Sequence, residues 1–262
     1  MLENRDPLLK VVADKITVRE WLEKQGESDH LVPLLGVWDS VEAVPLHSLS
    51  APCVLKPSIG SGSVIFLKSA DFDEKAVRDQ MQRWLDKDYS RVNREWCYEG
   101  ATCRIQAEAM LVDQGGNIPP DYKVYVIGGV ARLIQVDRGR FVRHTRNLYS
   151  PQWELLDARL TLQRHPVDPR PEHLEDMISK AEKLAQSFEF LRIDYYSVGG
   201  KLYIGELTNY PGAGFERFIP SQFSEEIGRH WPSASAQNTV KIAEQTNDST
   251  CSGMEPTPQL TS

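Results

Sequence analysis

No apolar run in this 262-residue sequence approaches the roughly 18 to 20 residues that a membrane-crossing helix needs. The opening MLENRDPLLK also lacks the basic-then-apolar layout of a secretory leader. The expectation is a cytoplasmic protein with no membrane span. Cysteine is scarce as well. Cys53, Cys97, Cys103 and Cys251 form no CxxC pair and no metal-ligand spacing, which points to reduced thiols without chemistry. Positive charge is in deficit, with 30 Lys and Arg against 37 Asp and Glu and a formal net charge of -7. That balance argues against an electrostatic nucleic-acid binder and favours a small partner. A GxSxG elbow and a Cys-His motif are both missing, so covalent nucleophilic catalysis has no candidate.

What is there is ordinary globular material, 40% hydrophobic and 26% charged, long enough for one large domain or two intimately packed ones. Its most informative stretch is Leu191 to Glu216, LRIDYYSVGGKLYIGELTNYPGAGFE. Two runs rich in β-branched, aromatic and leucine residues flank Gly199-Gly200, the signature of a hairpin. Each strand carries one carboxylate, Asp194 and Glu206. A two-residue turn would pair Asp194 with Gly205 and send Glu206 to the opposite face; a three-residue loop would set the two acids across from each other. Facing carboxylates repel unless a hard cation such as Mg²⁺ lies between them, and without that register they are simply solvated acids.

In chain order, Asp14 to Gln25 reads as a helix, and Leu31 to Trp38 as a buried apolar segment. Cys53 to Lys68 reads as strand, small-residue loop, strand, and the loop Ser58 to Ser63 has the composition to lay backbone N-H groups around phosphate oxygens or merely to turn the chain. Asp71-x-x-Glu74 has the pattern of a capping box, opening a packing helix that ends near Tyr89. Arg104 to Val112 is strand-like, and Tyr122 to Ile127 with Ala131 to Val136 forms a second hairpin around Gly128-Gly129. The segment Asp137 to Asn147, DRGRFVRHTRN, concentrates arginine in an acidic protein, either as a solvated rim or as a site for phosphate or carboxylate. Glu172 to Phe188 has a 3.6-residue apolar period and must lay one face on a sheet. Residues 232–262 lose periodicity and read as a largely disordered tail.

Several spaced motifs, taken in order, resemble the ATP-grasp enzymes: Asp14-Lys15 opening a helix, Val-Leu-Lys56-Pro before the Gly-Ser loop, Gln-Ala-Glu108-Ala-Met-Leu111, Asp121-Tyr-Lys123, Arg146-Asn147, Arg-Ile-Asp194 and Glu206-Leu-Thr208-Asn-Tyr-Pro211-Gly212. VPLLGVWDS, DYKVYV, IQVDRGRF and GELTNYPGAGFE look more narrowly like the TupA-like branch. The resemblance implies an α+β fold in which two lobes clasp a nucleotide, without a separate N-terminal Rossmann-like domain. Its catalytic unit would span 1–231, and the smaller, covering lobe roughly 50–110. It implies that Lys15 and Lys56 contact ATP phosphates under the cover of Gly60, Ser61, Gly62 and Ser63, and that adenine and ribose pack at Glu108 and Leu111. Lys123 and Arg146 would neutralise the triphosphate, and Asp194 and Glu206 would ligate Mg²⁺. Thr208 stands where many members of the superfamily have a metal-binding Asn, which puts a third ligand in doubt.

The activity implied is ADP-forming ligation of a small-molecule or peptide carboxylate to an amine through an acyl phosphate, in cell-surface polymer or secondary-metabolite synthesis. A phosphotransferase or glycan-building enzyme of the same fold, and a nucleotide-binding partner with little catalysis, are the alternatives.

Overall fold

The computed structural model describes residues 4–92 and 94–232. Apart from Pro232, the expected tail lies outside them. Two short helices, α1 (Leu8–Ala13) and α2 (Thr17–Lys24), lead into β1 (Leu34–Trp38), β2 (Cys53–Pro57) and β3 (Ile65–Leu67). Helix α3 (Glu74–Leu85) and the single turn α4 (Tyr89–Val92) precede β4 (Ile105–Ala109). The second half runs β5 (Asp121–Ile127), β6 (Val130–Arg138), β7 (Thr145–Tyr149), β8 (Arg159–Leu160), α5 (Leu174–Leu184), β9 (Phe190–Val198), β10 (Lys201–Thr208), β11 (Phe218–Ile219) and α6 (Gln222–Gly228).

The strands sort into two principal antiparallel sheets. One has four strands in the order β1-β4-β2-β3, the other five in the order β10-β9-β5-β6-β7, and β8 pairs with β11 in a small third sheet. The four-stranded sheet packs on α3 through Leu55, Ile105, Val77, Met81 and Trp84, and its core draws in Val41 and Val44. Its first strand in chain order, β1, begins at Leu34.

Period-two alternation organises the larger sheet. Tyr122, Val124 and Val126 of β5, Ile134 and Val136 of β6, and Leu191, Ile193 and Tyr195 of β9 all face one way and pack against Leu174, Met177, Ala181 and Leu184 of α5. The opposite face of the same strands carries Asp121, Lys123, Gln135, Asp137 and Asp194, each buried. One side is oil; the other carries charge and, beyond it, a second apolar cluster of Tyr125, Leu133 and Leu148.

Local details differ from the sequence reading for physical reasons. Leu31 to Trp38 is not a buried segment: β1 is an edge strand, and Leu34 and Leu35 are 39% and 37% exposed. The cap of α3 is Asp73, whose side chain accepts from the Ala76 backbone N-H at 2.9 Å, and not Asp71. That helix stops at Leu85; Tyr89 belongs to the separate turn α4.

Candidate functional site

The hairpin β9-β10 brings the two carboxylates together by an unexpected route. The turn is the two-residue kind, with Gly199 and Gly200 both at positive φ (59° and 73°) and Val198 paired with Lys201. That register alone would put Gly205 opposite Asp194. Instead the ladder slips between Ile204 and Glu206, leaving Gly205 without a partner and setting Glu206 directly across from Asp194. A Cβ on Gly205 would sit 2.6 Å from the Tyr196 ring, so the ring occupies the space that the glycine leaves open.

Asp194 is heavily tied. Arg192 donates to both of its oxygens, Nε at 2.6 Å and Nη2 at 2.8 Å, and Lys123 Nζ reaches Oδ2 at 2.5 Å. Burial alone would push this carboxyl up; the charges of Arg192 and Lys123 outweigh it and hold Asp194 below the usual carboxylate range. Lys123 also donates to Asp121 Oδ2 at 2.5 Å, so one ammonium bridges neighbouring strands. Asp121 goes the other way, raised chiefly by burial, and its Oδ1 has no hydrogen-bond partner. Thr208 accepts from Arg192 Nη2 at 2.9 Å, and Asn209, on the opposite face, donates to the Leu9 carbonyl at 3.1 Å.

Between the two sheets lies a cavity of about 490 Å³. Lys15, Lys56, Gly60, Ser61, Gly62, Ser63, Glu108 and Leu111 line it, as do Asp194 and Glu206. Val32, Val54, Phe66, Met110 and Ile118 complete an apolar end. Lys15 donates to the Gly60 carbonyl at 2.5 Å, and burial lowers its pKa. Lys56 is paired with Glu108, which Arg19 also approaches at 3.3 Å. The Gly-Ser loop is fixed at its base, where Ser58 N-H donates to the Arg104 carbonyl at 2.8 Å and the Tyr89 ring lies where a Gly60 side chain would be. Its tip is open: a Cβ on Gly62 would touch nothing within 4 Å.

Lys123 and Arg146 are not among the lining residues. They stand one residue behind the wall. Arg146 grips Asp137 with two bonds, 2.7 and 3.1 Å, and donates to Glu216 at 2.9 Å and to the Leu160 carbonyl at 3.2 Å. Nor is Arg138 simply solvated, since it meets buried Asp168 at 2.5 Å.

Three groups singled out for no role by the sequence reading do line the cavity: Asp121, Tyr196 and Arg140. The charge of Asp121, and then burial, holds the Tyr196 phenol well above its ordinary pKa. Asp121 and Tyr196 were findable in principle, because strand alternation puts 121 with 123 and 196 with 194. Arg140 sits in a turn, where no period applies.

A glycine-serine loop from one antiparallel sheet facing a carboxylate hairpin on another defines the ATP-grasp class of fold. The profile of the TupA-like ATPgrasp family matches residues 1–231, and the chain belongs to that family. No curated protein matches the sequence. Among solved structures, D-alanine--D-alanine ligase from Bacillus anthracis is 15% identical, with 92% of this chain and 70% of that one covered at a TM-score of 0.50. The ATP-grasp ligase PsnB, solved with a phosphomimetic variant of its minimal precursor, Mg and ADP, is 15% identical over 77% of this chain and 51% of its own, TM-score 0.44. A RimK domain ATP-grasp protein from Sphaerobacter thermophilus is 12% identical over 76% and 59%, TM-score 0.44. The chain thus spans about half the length of PsnB. At 15% identity the likeness to the D-alanine--D-alanine ligase shows the fold alone.

Proposed function

We propose that this protein is an ATP-dependent, ADP-forming ligase that joins a carboxylate to an amine, with the acceptor a small molecule or peptide of a surface polymer or secondary metabolite. The observation that carries the reading is the cavity itself: Lys15, Lys56 and the open tip of the Gly-Ser loop on one side face Asp194 and Glu206 on the other. Lys15 is half-buried, its one side-chain hydrogen bond among the described residues goes to a neutral carbonyl, and an incoming phosphate offers it a charged acceptor in exchange. The apolar end between Val54, Phe66 and Leu111 suits a flat base, with Glu108 beside it.

Mg²⁺ fits the donor set in one specific way. Among the described residues no group of three or more His, Cys, Asp and Glu side chains gathers into a cage, and Asp194 and Glu206 stand across from each other in register on the cavity wall. That is the usual provision for Mg²⁺, which takes one or two carboxylates and fills its remaining positions with phosphate oxygens and water. When bound, the ion neutralises charge that develops on the phosphates. The chain's own groups do the rest. Arg192 and Lys123 lock the Asp194 carboxylate in place, the bulge at Gly205 aims Glu206, and Lys15 and Lys56 hold the distal phosphates beneath the loop.

The substrate carboxylate oxygen then attacks the γ-phosphorus, and the bond to the β,γ-bridging oxygen breaks with its electron pair leaving on ADP. An amine nitrogen adds to the acyl carbon of the resulting acyl phosphate, phosphate departs, and the nitrogen gives its proton to solvent. The test is chromatography of nucleotide products during a screen of acids and amines, with phosphate release as the first readout. ADP and phosphate in step with amide is the expected result, and Glu206→Gln should stay folded, keep nucleotide affinity and lose ADP formation. AMP as the product, or an unimpaired Glu206→Gln enzyme, overturns the proposal; ADP without amide or free phosphate marks a phosphotransferase.

A further inference from the structure

Of the four arginines in the basic segment, Arg138 and Arg146 are held tightly by buried carboxylates, Arg143 is exposed and away from the cavity lining, and Arg140 is held only loosely. It lines the cavity, its side chain is 39% exposed, and among the described residues its one carboxylate contact is a loose 3.4 Å approach to Asp121 Oδ2. That oxygen already accepts from Lys123 at 2.5 Å, so Arg140 can leave without stranding it. Arg140 is therefore a charged donor fork at the wall of the cavity, with little to lose by exchanging its partner.

The residue beside it faces elsewhere. Gly139 to Val142 is a tight turn closed by the Val142 N-H on the Gly139 carbonyl at 2.9 Å, with Arg140 and Phe141 as its two central residues. Gly139 is at φ 59°, and a Cβ there would lie 2.5 Å from the Arg143 carbonyl oxygen, so the turn has one shape. Phe141 crosses from it to the covering sheet and packs edge-to-face on Phe66 of β3, ring centroids 4.7 Å apart. In a turn of one shape the Cα–Cβ bonds of its two central residues keep a set relation. The contact that ties Phe141 to the covering sheet thus also holds the Arg140 backbone at the cavity wall, from which its side chain reaches.

Deepening the ligase reading and resting on it, we infer that Arg140 is a catalytic residue: it leaves Asp121 to contact the oxygens of the phosphoryl group in transfer, and the Phe66–Phe141 contact is the clasp that delivers it. Arg140 is the direct contact, while Lys123 and Arg146 hold Asp121, Asp194 and Asp137 from behind. Phe141 is a positioning residue.

Calorimetric titration of the full-length protein with Mg·ADP, and with Mg·ADP plus fluoroaluminate as mimic of the transferring phosphoryl, tests this. Arg140→Ala should bind Mg·ADP within about threefold of wild type yet lose about 100-fold in affinity for the fluoroaluminate complex, the scale of removing one aligned donor. Phe141→Ala should lose about tenfold in the same complex only, Phe141→Leu should regain most of that, and the Arg140→Ala/Phe141→Ala double variant should be no weaker than Arg140→Ala alone, because the clasp acts through the arginine. Equal losses for Mg·ADP with and without fluoroaluminate, or losses that multiply in the double variant, overturn the inference. Wild-type protein that fails to bind Mg·ADP at all overturns the ligase reading beneath it as well, and so separates the two failures.

Discussion

The two sheets that face each other across the cavity hold their charges in opposite ways. On the five-stranded sheet each ion has several partners: Asp194 is bound by Arg192 and Lys123, Lys123 by two carboxylates, and Arg146 by Asp137, Glu216 and a backbone carbonyl. On the four-stranded side each has one or two and is nearer to solvent. Lys56 pairs with Glu108 alone and is 21% exposed, and Lys15 rests on the Gly60 carbonyl. The difference separates two tasks. A network with several bonds per ion holds its geometry before anything binds, whereas a cation with one replaceable partner is ready to transfer to an incoming anion.

The contrast can be broken most severely at its centre. Asp194→Ala would leave Lys123 and Arg192 as buried cations without their common partner, and we expect a loss of about 3–5 kcal/mol in urea unfolding, the scale for one half of a buried pair removed. A stability unchanged by the substitution would show that the network is no more fixed than the lysines above it. Next in size comes Gly205→Ala, which forces the Tyr196 ring aside and should cost about 1–3 kcal/mol, as overpacking does. Its signature is loss of ADP formation together with a lowered melting temperature, since the bulge both packs and aims.

Acid should act more gently, on this sheet and on Asp168, which is bonded to β7 from the segment after β8. Asp137, Asp168 and Asp194 all have lowered folded pKa values, with cationic partners outweighing burial, so their contribution is complete above the unfolded carboxylate range near pH 4 and is lost as pH falls through the lowered values. Asp121, raised by burial, opposes them: it holds its proton longer when folded and takes stability away as pH rises past its unfolded value. Unfolding midpoints followed from pH 6 to pH 2 should therefore drop, and a rise would contradict the assignment. The smallest effect belongs to Lys56→Ala, about 1 kcal/mol or less by chemical denaturation, because the pair is partly exposed and Glu108 retains Arg19.

Much of this arrangement is legible in the sequence. Alternating apolar residues mark β5, β6, β9 and β10, Gly-Gly marks both of their turns, and the period of Glu172 to Phe188 announces the helix that covers their oily face. Loop length alone does not reveal the bulge at Gly205, but a trace of it is in the chain. Leu202 and Ile204 follow alternation and the next core residue is Leu207, three positions on, not two. The sequence does not show which arginine of the cavity side is loosely held. Arg138, Arg140 and Arg146 are chemically alike, and only the close folded partners Asp168, Asp137 and Glu216 set two of them apart from Arg140 with its 3.4 Å contact to Asp121. The position of β1 is hidden for a similar reason, since LVPLLGVW is apolar enough for a core and only strand order leaves it at the rim.

The unpaired Gly205 also bears on how such chains are counted against one another. From the turn to the second carboxylate, one surplus residue in the strand and one surplus residue in the loop do the same job. A relative with a three-residue loop and an unbroken strand would present an identical pair of acids at the same separation in number, its glycine gone and its loop longer. Deleting Gly205 while inserting one residue between Gly200 and Lys201 should accordingly restore the facing acids that either change alone destroys. Between distant members a gap placed in the loop and a gap placed in the strand are interchangeable, and the acids themselves, not the residues that separate them, are the safe landmarks for alignment.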